Sequence, residues 1–80
     1  MTKLKTLSGM EVVKVFLHFG FEQISQQGSH AKLRRISARG HETLIVPVHK
    51  ELDKGTLRAI YRQALRYISE DQLAPHFFNE

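Results

Sequence analysis

The chain has no cysteine. That excludes disulfide scaffolds, thiolate zinc sites and thiol nucleophiles together. Proline is scarce, at 2 residues, and glycine stands at 5 of 80, so neither a collagen-like repeat nor a disordered low-complexity segment is present. No apolar run nears the roughly 20 residues that a bilayer-spanning helix needs. The N-terminal region also lacks the unbroken apolar stretch of a signal peptide, so the expected address is the cytoplasm, with no membrane role. Acid is the scarcer charge: 8 Asp and Glu stand against 12 Lys and Arg, for a formal charge of +4.

What is present is ordinary for a folded protein, 41% hydrophobic and 25% charged. Eighty residues make a single domain with a small core, with about 8–72 as its body and 73–80 as a short tail. The basic residues are unevenly spread. From Lys32 to Arg66 there are nine basic and three acidic side chains, while the remaining positions hold three basic and five acidic ones. One region is thus suited to a polyanion, and nucleic acid is the commonest polyanion.

Ser8-Gly9-Met10-Glu11 has the form of a capping box and opens a helix over 9–19. Its apolar residues leave only Glu11, Lys14 and His18 as a polar strip, which predicts a largely buried helix ended by Gly20. The period then changes to two. Strands are predicted over 21–26, 30–36 and 42–48, joined by a Gln27-Gly28-Ser29 turn and a hairpin over 37–41. Alternation puts Ala31 and Leu33 on one face, and His30, Lys32 and Arg34 on the other. Pro47 marks an edge or a strand end. Leu57, Ile60, Tyr61, Ala64, Leu65 and Ile68 then follow helical spacing, which predicts a helix over 54–68 capped by Asp53. Ser69 to Gln72 has the form of a second capping box, but Pro75 limits a third helix to about a turn. Phe77 and Phe78 either dock on the core or wait for a partner. The fold class is α+β: an α-β-β-β-α order, with two helices on one face of a three-stranded antiparallel sheet, as in double-stranded RNA-binding domains.

Histidine is the one side-chain type that titrates near neutrality without help, and there are five. His18 and His41 read as solvent-facing, and His76 lies in the tail beside Pro75 with little to position it. His30 differs: it follows a turn and opens a strand whose outer face continues with Lys32 and Arg34, so a rigid imidazole stands beside two cations. On the residues alone, a surface histidine and a catalytic one both remain open there, with His49 as the next candidate. No i, i+4 histidine pair and no His-Glu-x-x-His occurs, so no metal site or other cofactor is expected. Gly28, Gly40 and Gly55 lie too far apart for a nucleotide-binding glycine loop.

RNA chemistry suits these side chains. The 2′-hydroxyl is an internal nucleophile, so cleavage needs a base, support for the phosphorane charge and a proton for the leaving 5′-oxygen. A histidine base contributes roughly 10²–10⁴ in rate, and Lys and Arg stabilise the charge. The same cations also suit a non-catalytic RNA-binding module.

Gly28-Ser29-His30 after the Gly20-Phe21 helix end, Val46-Pro47-Val48-His49, and Lys54-Gly55-Thr56-Leu57-Arg58-Ala59-Ile60 with Arg62-Gln63-Ala64 form an ordered set. Together they resemble the HicA (YcfA-like) toxins over about residues 8–72. The resemblance implies a cytoplasmic mRNA interferase of a toxin–antitoxin pair, with His30 catalytic and a HicB-like antitoxin bound over it. Around His30, the expected RNA- and phosphate-binding residues are Gly28, Ser29, Lys32, Arg34, His49, Lys54, Gly55, Thr56 and Arg58. The free N–H groups at the start of the second long helix are part of that expectation. Ala31 departs from the bulkier residue that often follows the family's histidine, and Asp53 stands where a proline often opens that helix.

Overall fold

Ser8 begins the first helix as its sequence demands. Its hydroxyl accepts from the Glu11 N–H at 3.1 Å and the Glu11 carboxylate accepts from the Ser8 N–H at 2.9 Å, two otherwise orphaned donors satisfied together. A computed structural model describes residues 3–79. The chain runs β1 (Lys3–Leu4), α1 (Gly9–His18), β2 (Glu22–Gln27), β3 (His30–Ser37), β4 (Gly40–Pro47), α2 (Lys54–Ala64), α3 (Glu70–Phe77) and β5 (Phe78–Asn79). Strands β2, β3 and β4 form an antiparallel sheet in that order, and α1 and α2 cover one face of it. This is the α-β-β-β-α arrangement of the double-stranded RNA-binding-domain-like fold.

Alternation along β3 and β4 sorts the faces. Ala31, Leu33, Leu44 and Val46 point under the helices and are fully buried. There they meet Val12, Val13 and Phe16 of α1 and Leu57, Ile60 and Ala64 of α2. Gly20, at φ +92°, ends α1 in a left-handed turn that non-glycine residues resist. Phe21 then folds back on Phe16, with ring centroids 6.0 Å apart. Gly9 is a close-approach glycine: an added Cβ would sit 2.0 Å from the Pro47 carbonyl oxygen, while its N–H donates to the His49 carbonyl. The start of α1 is thereby fixed against the end of β4.

Four features depart from the expectations. Helix α1 is less buried than its composition suggests, because Met10 and Leu17 face solvent. Helix α2 ends at Ala64 rather than at 68, tightening into turns in which Tyr67 and Ile68 both donate to the Ala64 carbonyl. The third helix is two turns long and contains Pro75. Proline in a helix interior costs about 3 kcal/mol, whereas burying Leu73 and Phe77 completely contributes about 1.5–3 kcal/mol each. Ser69 caps α3 by position only, since its side chain makes no cap bond. Finally, β1 and β5 pair as a two-stranded ribbon that the sequence did not announce. The tail therefore docks: Phe77 lies in the core 6.1 Å from Phe16, and half-buried Phe78 stands edge-on to Tyr61.

One polar network crosses the core. Arg35 Nε donates to Glu42 at 2.7 Å, and its two terminal nitrogens donate to the Phe19 and Tyr67 carbonyls. Its guanidinium also lies 4.8 Å from the centre of the Phe21 ring. The Ser37 hydroxyl donates to the other Glu42 oxygen. A single side chain thus ties together the end of α1, the α2–α3 connection and the sheet.

Candidate functional site

Gly28 makes the turn before β3 with φ +57°, and Ser29 and His30 follow. Because Ala31 and Leu33 point inward, His30 and Lys32 must point to the uncovered face of the sheet. His30 pairs with Gln27 on one side and with Pro47 on the other. It is exposed, and it opens the central strand, paired on both sides.

Two depressions meet at this histidine. The larger, about 540 Å³, lies between the outer edge of β4 and the flank of α2, lined by Ile45, Pro47, Thr56, Ala59, Arg62, Gln63 and Arg66 among others. The smaller, about 360 Å³, lies on the open sheet face, lined by Ser25, Gln27, Lys32 and Ile45. His30 and Ile45 line both.

The residues expected around His30 separate into groups. Lys32 and Thr56 line the depressions. Ser29 and His49 sit beside them, joined by a 3.3 Å contact from the His49 Nε2 to the Ser29 hydroxyl. The Val48 N–H donates to the Ser29 carbonyl, which ties the turn to the end of β4. Arg34 shares the outer face but lines a different depression with Gly20 and Glu22, and its buried Nε has no partner among the described residues. Lys54, Gly55 and Arg58 are exposed and line neither depression at His30.

The start of α2 is not open to a phosphate in the way its sequence suggested. The Thr56 N–H donates to the Asp53 carboxylate at 2.7 Å and the Thr56 hydroxyl at 3.1 Å. Those two bonds hold the Asp53 carboxyl below its ordinary range, with the Gly55 N–H and the charge of His49 adding to the effect. A carboxylate already fills the position an anion would take.

Arg62 and Arg66 were not among the residues expected around His30, yet both line its larger depression. Their i, i+4 step was visible. The missing fact was that α2 lies along β4, which turns this part of the helix toward His30. Neither arginine has a carboxylate partner: the one ion pair among the described residues is Arg35–Glu42. Also among the described residues, no three potential metal ligands cluster, and no helix is long and apolar enough to cross a membrane.

A family model described as the HicA toxin of bacterial toxin–antitoxin matches residues 9–65. The chain belongs to the HicA toxin family. The match spans α1, the whole three-stranded sheet and α2, and so takes in His30 and nearly all of both depressions. The β1–β5 ribbon and α3 lie outside the matched HicA segment, as does Arg66. Comparison with curated proteins and with solved structures finds no match. HicA membership carries a toxin role, and for the family in general it implies an mRNA target and a cognate HicB antitoxin.

Proposed function

We propose that this HicA member is a metal-independent mRNA interferase in which His30 is the general base. The supporting observation is that an imidazole fixed on the central strand stands where two depressions meet, with Lys32 in one and Arg62 and Arg66 in the other. His30 takes the proton of a 2′-hydroxyl, and the freed oxygen attacks the adjacent phosphorus. The bond to the 5′-oxygen breaks, leaving a 2′,3′-cyclic phosphate on one fragment and a 5′-hydroxyl on the other. The leaving oxygen takes its proton from His49 or from water. Cations flanking the phosphate stabilise the phosphorane as charge develops on it. A HicB-like antitoxin covering the exposed His30 face would block the reaction.

The test is induction of the wild type and of His30→Ala in bacteria lacking antitoxin, with growth and total mRNA integrity followed. Growth arrest with mRNA fragments ending in cyclic phosphate, in the wild type only, is the expected result. Equal arrest by both would move the chemistry away from His30. Intact mRNA with both, from folded protein, would favour a non-catalytic RNA-binding module.

A further inference from the structure

We infer that the substrate is an unpaired RNA strand threaded through both depressions, gripped by Arg62 and Arg66 on one side of the scissile phosphate and by Lys32 on the other. This rests on the ribonuclease reading above for the position of that phosphate, and the rest follows from shape and charge.

His30 and Ile45 are common to both depressions, so a phosphate at His30 has one hollow on either side. At about 540 and 360 Å³, each falls within the roughly 300–1,000 Å³ of small-ligand sites. Each therefore suits one nucleoside rather than a stretch of helix. A base-paired strand cannot use them. In an A-form duplex the bases are stacked inside and the major groove is too narrow for side chains to read, so no nucleoside can drop into a hollow. An unpaired strand has free base faces, and the shared floor is apolar: Ile45 is 38% exposed on the open sheet face. Contact between base faces and such a floor tolerates many sequences. One glutamine amide stands in each hollow, Gln63 in the larger and Gln27 in the smaller, able to donate to or accept from a base edge.

The charges continue the same path. Helix α2 contains no acidic residue; Arg62 lies in its last turn and Arg66 in the turn that follows it. Both line the larger hollow, and among the described residues neither is paired with a carboxylate. Arginine forks are shaped to receive phosphate oxygens.

The experiment measures binding of a fully 2′-O-methylated oligoribonucleotide of about 12 nucleotides, single-stranded or annealed to its complement, across a salt series. Methylation removes the nucleophile, so binding is read without cleavage. The wild type, the Arg62→Ala/Arg66→Ala double variant and an Arg39→Ala variant at the distal hairpin are compared, with thermal melts confirming that each is folded. The double variant is expected to bind the single strand at least about tenfold more weakly, and its log–log salt slope to fall by about 1.4, or 0.7 for each lost phosphate contact. Arg39→Ala should match the wild type, and the duplex should bind far more weakly than the single strand.

Unchanged binding in the folded double variant, equal loss in Arg39→Ala, equal affinity for duplex, or no binding by the wild type would each overturn the inference. A parallel cleavage assay on the unmethylated strand separates it from the ribonuclease reading. The binding pattern without His30-dependent cleavage leaves the strand path standing and removes the enzyme. His30-dependent cleavage that ignores Arg62 and Arg66 does the reverse.

Discussion

Arg35 was invisible to sequence reasoning because it reads as one more cation in a basic stretch, next to Arg34. Alternation does give its direction: 31, 33 and 35 point inward, which puts a guanidinium under the helices. What alternation cannot give is the set of acceptors that makes this tolerable, namely Glu42 and the Phe19 and Tyr67 carbonyls from distant parts of the chain. Removing one partner of a buried pair leaves the other charge unpaired, at a cost of about 3–5 kcal/mol. Arg35→Ala should therefore lower unfolding stability by about 3 kcal/mol, read as a reduced urea midpoint. His76 is the second residue whose setting mattered more than its type. It packs 5.5 Å from the His18 ring and 5.3 Å from Phe19. Burial, then the nearby charges of His18 and Lys5, lowers its pKa below the ordinary 6.5. The unfolded chain then binds more protons than the folded one between 6.5 and the lowered value. Stability from this source is whole above that window and is lost as pH falls through it. Urea midpoints measured across pH should show this fall in the wild type and a shallower one in His76→Gln.

At the scale of elements, α1, the hairpins and the start of α2 were legible because the sequence marks them locally, whereas the end of α2 carries no such mark. Ser8 and Glu11 open α1 and Gly20 closes it, Asp53 opens α2, and buried and outward positions alternate along β3 and β4, whereas β2 is exposed throughout. Helix α3 was not legible because its decisive interactions are tertiary: Leu73 and Phe77 close the core beneath a proline that argues against a helix. Pro75 and Asp71, whose carbonyl loses its helical donor, both face solvent, so water meets the unpaired group and no core packing depends on the ring. Pro75→Ala should restore that hydrogen bond and raise unfolding stability by about 1–3 kcal/mol, measured by chemical denaturation. An unchanged or lowered midpoint would mean that the pyrrolidine ring contributes packing of its own.

At the scale of the whole molecule, the position of His30 was readable and its surroundings were not. The Gly28-Ser29-His30 turn and the strand period place the imidazole on the outer face, beside Lys32. Which basic residues in and just after the second long helix join it depends on how α2 lies along β4, a packing angle with no sequence signature. Arg62 and Arg66 therefore line the hollow while Lys54 and Arg58, equally basic, do not. The Arg35–Glu42 bond has a consequence here beyond its energy. The two residues are direct cross-strand partners on β3 and β4, so the pair works as an indexing pin for the sheet. Sliding β3 by one residue would invert every side chain along it, turning His30 under the helices and Ala31 out to solvent. Apolar residues resist such a slip only in aggregate, because one buried aliphatic side chain can stand in for another. A charge with a single carboxylate waiting for it has no second place to go.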